Sequence, residues 1–350
     1  MNFNDKKKYY TGLFAIGIGI LMLLIIISIT LGSADVSVTD SFRIIASKIP
    51  IINEFVNIDD IKLSSSVIIL KIRLPRIILA ALVGINLSLV GAVYQGIFKN
   101  PMADPYVLGV SSGSALGAAV SIVFGIQTML LGISGVALAA FIGAIITTVS
   151  VYNIARVGNK ASTINLLLAG VAVSFFLSSL ISILMIFNRN EIDKIIFWTM
   201  GSLSAASWSQ VIFLLFITIP LSIFVMFFSR DINIVLLGDD SAKNLGIDVE
   251  KLKKIMLLIS SLLVASSVSV SGVIGFVGLI IPHSVKILTG SDNRVLIPFS
   301  ALAGGCFMII SDTLARTLLS PTEMPVGAIT SLFGAPYFIY LLYKNKKKVF

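Results

Sequence analysis

Residues 73–117 read RLPRIILAALVGINLSLVGAVYQGIFKNPMADPYVLGVSSGSALG, and this stretch decides the class of the protein. Two arginines around a proline precede an uncharged run from Ile77 to Phe98. At ~1.5 Å per residue that run is long enough to cross a hydrocarbon core of ~30 Å. It predicts a membrane span. A Lys-Asn-Pro turn at 99–101 ends it, and a second apolar segment follows in which Gly109, Gly113 and Gly117 recur every four residues, the spacing that lets helices pack closely in lipid.

The remainder of the chain repeats the pattern. Of 350 residues, 57% are hydrophobic and 12% are charged, with a mean hydropathy of +1.02; soluble domains carry about 25% charged residues. The composition predicts an all-α, polytopic membrane protein in which residues 1–350 form a single transmembrane domain. Apolar runs fall at about 11–31, 77–98, 107–125, 129–152, 164–187, 208–228, 255–271, 273–289, 295–311 and 325–343, giving ten expected spans. As one helix, 255–289 would be about 52 Å long, so the glycines at 272, 275 and 278 are expected to divide it. The first run follows Lys6, Lys7 and Lys8; its apolar core exceeds that of a secretory signal and no A-x-A-like site follows, so it is expected to stay in the mature chain.

Charge sets the expected orientation. An even number of spans puts both termini on one side, and both are basic, with Lys6 to Lys8 at the start and Lys344 and Lys346 to Lys348 at the end. The positive-inside rule assigns them to the cytoplasm. Alternation from there places 17 of the 26 basic residues inside. Lys71, Arg73 and Arg76 crowd the outer mouth of the second span against that trend. Anchoring to lipid headgroups and docking of an acidic partner or substrate both fit such a cluster. The net charge of +9 belongs to this loop asymmetry rather than to nucleic-acid binding.

Chemistry is sparse. One histidine, His283, and one cysteine, Cys306, leave no basis for a metal site or an intramolecular disulfide. No G-x-x-x-x-G-K-[ST] sequence occurs, so any ATP must be used by another chain. The spans hold almost no ionisable residues, which argues against an ion-coupled secondary transporter. The longest inward loop, about 229–254, contains LLGDDSAKNLGID at 236–248: acidic residues sit near an expected helix start and Gly246 near its stop. A short helix is expected there, serving as an ordinary connector or as a platform for a cytoplasmic motor.

Seven blocks in order then resemble one family: RLPR at 73–76, KNPMADPYVLGVSSGSALG at 99–117, LLLAGVAVS at 166–174, FWTMGSLSAASW at 197–208, LLGDDSAKNLGID at 236–248, SGVIGFVGLIIPH at 271–283 and PTEMPVGAITSLFGAP at 321–336. Together they look like the permeases of the ABC importers for iron-siderophore, haem and cobalamin. The resemblance implies a cobalamin-permease-like fold with ten spans per subunit. It implies a second permease copy, identical or a close paralogue, a pair of cytoplasmic ATP-binding-cassette ATPase subunits that use ATP and Mg, and an extracytoplasmic substrate-binding protein. The chain itself would be no enzyme and would bind no cofactor. It would lie in a bacterial or archaeal cytoplasmic membrane and carry an iron-siderophore or related iron complex inward, with haem and cobalamin as alternatives.

Residue roles also follow from the resemblance. Arg73, Arg76 and Arg316 match positions that face the binding protein. Gly238, Ala242, Leu245 and Gly246 match the element that contacts the ATPase, which favours the motor-platform reading of that loop. Ser162 and Thr163 match the cytoplasmic gate. Lys99 and Lys286 stand where the family more often has arginine, so charge is kept there while the guanidinium fork is lost.

Overall fold

The computed structural model describes residues 3–32, 36–48, 57, 60–126, 129–130, 133–158 and 160–346. Helices dominate them: α1 (Phe3–Thr30), α2 (Val38–Ala46), α3 (Leu63–Val67), α4 (Leu74–Ile97), α5 (Val110–Val123), α6 (Gly135–Ala155), α7 (Thr163–Phe187), α8 (Ile192–Thr199), α9 (Trp208–Phe227), α10 (Ser229–Leu236), α11 (Asp239–Asn244), α12 (Val249–Ser271), α13 (Val277–Thr289), α14 (Asn293–Thr317) and α15 (Val326–Lys346). A π-helical turn, Ile68–Arg73, joins α3 to α4. Among the described residues, seven helical segments are long and apolar enough to cross a membrane, while α5, α13 and Val326–Leu341 of α15 are shorter apolar helices. These ten follow the ten expected runs in order.

Local chemistry explains several boundaries. Ser134, Ser162, Ser207, Asp248 and Asp292 each stand at a helix N-cap, and each side chain accepts a hydrogen bond from a first-turn amide. Ser207 and Gln210 bond reciprocally in a capping box at the start of α9. The division of 255–289 falls at Gly272, whose φ of +67° ends α12, and at Phe276, whose φ of +69° precedes α13. Gly278 instead lies inside α13, where a Cβ would run into Pro105 and the Leu87 carbonyl.

The core is built on α4, buried along almost its whole length. It packs against α14 where Gly84 and Gly304 meet: a Cβ on either would overlap the other's carbonyl oxygen. Two turns further along, Gly91 meets the backbone of Gly278 in α13 in the same way. Without a hydrophobic driving force between helices in lipid, close backbone approach of this kind is what holds them together. Buried Asn86 adds a polar tie, donating to Thr218 in α9 at 2.8 Å and to Ser267 in α12 at 3.0 Å.

The expected packing glycines divide in two. Gly113 and Gly117 lie in α5 against α6, where added Cβ atoms would meet Gly143 and Ala139 carbonyls. Gly109 is corrected: it precedes α5 as its N-cap with φ +71°, so it turns the chain and lies outside the helix. Amphipathic α2 and the short α8 have no counterpart among the expected elements, because neither is long enough to register as a span.

Candidate functional site

Chain direction defines two ends of the bundle. α4 begins at the end holding Arg73 and Arg76 and finishes beside Lys99, which pairs with Asp239 at the N-terminus of α11. We call these the arginine end and the loop end.

At the arginine end, α1 stops at Thr30 with no basic residue in its own last turn. A helix leaves its last four carbonyls unpaired and its C-terminus electronegative. Two arginines from other helices satisfy it. Arg73 Nη1 donates to Ile29 O at 2.8 Å, and Arg316 donates through Nη1 to Leu31 O at 2.7 Å and through Nη2 to Ser28 O at 2.5 Å. Arg76 is held on both sides, with Nε 3.0 Å from Asp312 Oδ1 and Nη1 2.8 Å from Glu323 Oε2. Asp312 also lies 3.6 Å from Arg316 Nε, so one buried carboxylate sits between two guanidinium groups.

This geometry corrects the expectation that the three arginines stand at the surface. Arg73, Arg76 and Arg316 are 4%, 5% and 4% exposed. Their charges are consumed by α1's carbonyls and by two carboxylates, which close a three-helix joint of α1, α4 and α14. Of the groups bonded to Arg76, Glu323 is the open one, with 37% of its side chain exposed.

At the loop end, the short helix expected within 236–248 forms as α11; a second helix, α10, precedes it without having been expected, and α12 begins at Val249. Asp239 accepts from Lys99 Nζ at 2.6 Å and from Lys253 Nζ at 3.1 Å. The bond from Lys99 holds the Asp239 carboxyl below its ordinary range. Asn233 in α10 uses both ends of its amide. Nδ2 donates to Asp292 Oδ1 at 2.7 Å, and Oδ1 accepts from the backbone and side-chain nitrogens of Asn293, each at 2.8 Å. Asp292 is pushed down to about 2, chiefly by the Arg294 guanidinium.

The four loop residues singled out in the sequence have distinct surroundings. Gly238 and Gly246 hold positive φ, +126° and +82°, and turn the chain at either end of α11. Leu245 is 64% exposed, but Ala242 is fully buried against the protein's own interior. A partner can touch Leu245 and cannot touch the Ala242 side chain in this conformation. Leu237, 72% exposed, flanks the same turn and was not among the expected contacts. Sequence reading places it in the turn before the expected helix and gives it no role.

Ser162 accepts from Asn165 N at 3.1 Å as the N-cap of α7, and Thr163 is the first residue of that helix. Ser162 is thus engaged in starting the helix that the expected gate would belong to.

Between the two ends, Tyr106 ties the 99–109 loop to the α12–α13 break: its hydroxyl donates to Ile274 O at 2.9 Å and accepts from Ile274 N at 3.2 Å. Two of the seven motif blocks meet at this bond, which their separation of 168 residues conceals. A cleft of about 440 Å³ opens toward the arginine end, lined in part by Ser134, Lys194, Trp198, Ser202, Gln210 and Ser271. Apolar side chains such as Ile122, Phe197 and Val270 make up much of the rest of its wall. Among the described residues no three His, Cys, Asp or Glu side chains gather where a metal could sit.

Comparison with known proteins gives a consistent result. The cobalamin import system permease protein BtuC of Halobacterium salinarum is 44% identical over 279 residues, covering 80% of this chain and 74% of that one. The hemin transport system permease protein HmuU of Yersinia pestis is 38% identical over 280 residues, covering 80% of this chain and 84% of that one. A solved structure described as an inward-facing conformation of a metal-chelate type ABC transporter superimposes with a TM-score of 0.80 at 31% identity, covering 96% of this chain and 99% of its own. Residues 20–344 match the FecCD transport family from one end of the bundle to the other, and the chain is a multi-pass permease belonging to that family.

Proposed function

We propose that this chain is the membrane-spanning half-channel of an ATP-driven importer for a metal chelate. Two copies, or this chain and a close paralogue, form the pathway. A pair of cytoplasmic ATPase subunits seats on α10 and α11, and an extracytoplasmic binding protein delivers cargo at the arginine end. Both termini lie in the cytoplasm in this reading, and the whole chain acts as one membrane domain. The observation that carries it is the near-complete superposition on a metal-chelate type ABC transporter, combined with a loop end built as two capped helices around exposed Leu237 and Leu245.

ATP chemistry belongs to the partner, since the chain has no phosphate-cradling loop. Cargo identity falls within the chelate class. An iron-siderophore is our first assignment; the likeness to permeases named for cobalamin and hemin supports those two as alternatives. The arginines shape the docking face from beneath, because their guanidinium groups hold α1, α4 and α14 in register rather than projecting outward.

Reconstitution tests this. The chain, with its ATPase and binding protein in proteoliposomes, is expected to accumulate one of a ferric siderophore, haem or cobalamin only with ATP inside the compartment that holds the ATPase. Accumulation driven by a proton or sodium gradient, without ATP, would sink the reading.

A further inference from the structure

We infer that Asn233 is the positioning residue through which α10 and α11 move α14, and thus the joint through which the loop end is mechanically linked to the arginine end. This rests on the importer reading above, which places a motor against α10 and α11.

Buried Ile232, Val235 and Ala242 pack the loop helices against the bundle, and among the described residues three sets of side-chain polar contacts tie them to α4, α12 and α14. Two are the ion pairs of Asp239 with Lys99 and Lys253, in which Asp239 keeps 40% of its side chain exposed, Lys99 35% and Lys253 15%. Partly exposed pairs of flexible lysines fix geometry weakly. The third is Asn233. Its three short hydrogen bonds leave a planar amide no freedom to turn without breaking one of them, and all three partners belong to Asp292 and Asn293. Asp292 is the N-cap of α14, and Asn293 is its first residue, 1% exposed. Beside them, Ile232 fills the space over Gly96 near the end of α4.

From that cap α14 runs for 25 residues, about 38 Å, to Arg316 and Thr317, with Pro298 near its start removing one backbone hydrogen bond. Its middle packs backbone to backbone on α4 at Gly84 and Gly304, where neither helix has room for a Cβ. Its far end carries Asp312 and Arg316, half of the arginine joint. A displacement of α10 is therefore delivered to the N-terminus of a closely packed helix pair whose other end organises the arginine face. Such a chain of contacts carries coupling only if both ends bias it, which the experiment must establish.

The test uses the full complex with its ATPase in lipid nanodiscs. Cys306 is the only cysteine, so a Cys306→Ser background with Leu318→Cys places one spin label just past Thr317 at the arginine end. Leu318 is 55% exposed and so accepts a label. In the otherwise wild-type complex, ATP and Mg are expected to change the label's mobility or accessibility. Asn233→Ala should leave ATPase binding and hydrolysis within about twofold while reducing the fraction of labels that respond roughly fivefold or more, in the range of ordinary coupling energies. The exchange Asn233→Asp with Asp292→Asn keeps a carboxylate and an amide facing each other, and both residue types cap helices. It should restore the response.

A full label response in Asn233→Ala overturns the inference. So does loss of ATPase binding in Asn233→Ala that the exchanged pair fails to mend, which would make Asn233 merely structural. If the wild-type complex binds no ATPase, the importer reading itself fails and the inference falls with it; if it binds and hydrolyses ATP while the label stays silent, the inference alone is overturned.

Discussion

Arg316 in α14 donates a 2.7 Å hydrogen bond to the carbonyl of Leu31, just beyond the end of α1 and 285 residues away in the chain. The same guanidinium reaches Ser28 O and its hydroxyl, while Asp312 one turn back in α14 lies 3.6 Å from Nε. A cation placed at a helix C-terminus in surroundings without water is worth more than the same cation in solvent. The relationship makes the arginine end a structural joint first, whatever docks upon it.

Removing a partner from that joint should be costly. Arg316→Ala removes the donor to Ser28 O and Leu31 O, leaves Arg73 alone at the end of α1, and leaves Asp312 to Arg76 alone. Breaking a buried ion pair by deleting one member typically costs about 3–5 kcal/mol. A clear drop in melting temperature is expected for the purified permease in detergent, with Arg316→Lys intermediate because a lysine reaches fewer of these acceptors.

Charge reversal at Arg76 separates docking from folding. A carboxylate there would face Asp312 and Glu323, so Arg76→Glu should destabilise the isolated permease before any binding protein is added. Unchanged thermal stability, with only transport lost, would mean that Arg76 acts through docking alone. Glu323→Gln, at the open edge, should cost far less stability than either arginine change.

The glycine contacts make a matched pair of predictions. Gly304→Leu drives a side chain into Ser88 and the Gly84 carbonyl, and should lower folded yield or stability by at least the 1–3 kcal/mol usual for overpacking. Gly275→Ala meets nothing within 4 Å and has no positive φ, so it should be nearly neutral. Monodispersity on size exclusion and melting temperature report both.

Acid should open the loop end late. Asp292 sits at about 2 in the folded protein against an ordinary 3.8, and Asp239 is also lowered. A depressed carboxyl contributes stability above its unfolded value that disappears as pH falls through the folded one. The clamp between α10 and α14 should therefore stay closed from pH 8 to 5 and loosen only below about 4. Hydrogen exchange at residues 233–238 and 292–296, corrected for intrinsic rates, should show that order.

Exposed leucines test the loop surface. Leu245→Glu and Leu237→Glu alter no internal contact that holds the bundle, so folding should be preserved. Loss of ATPase co-purification in either variant would mark the seat of the motor; retention in both would move that seat elsewhere.

How much was legible beforehand varies by residue. The break at Gly272 was readable because a glycine inside an overlong apolar run is a local signal. Phe276, which completes the break with a left-handed φ, was not, since a bulky residue adopts that conformation only when its neighbours hold it there. Gly113 and Gly117 could be picked out by spacing, while Gly109 shared the spacing and turned out to start the helix. Asn233 carried no motif at all. Its part depends on Asp292 and Asn293 arriving beside it from 59 and 60 positions downstream.

By itself the amino-acid sequence determined the membrane class, the ten apolar segments and their order, because hydropathy and helix length act on neighbouring residues and the bilayer imposes one thickness on all of them. It also singled out Arg73, Arg76 and Arg316. Only the tertiary structure decided what those arginines do. Their partners are the terminal carbonyls of α1 and the carboxylates of Asp312 and Glu323, up to 288 residues distant, and no local pattern tells whether a guanidinium at a membrane edge turns outward to solvent or inward to an unsatisfied helix end.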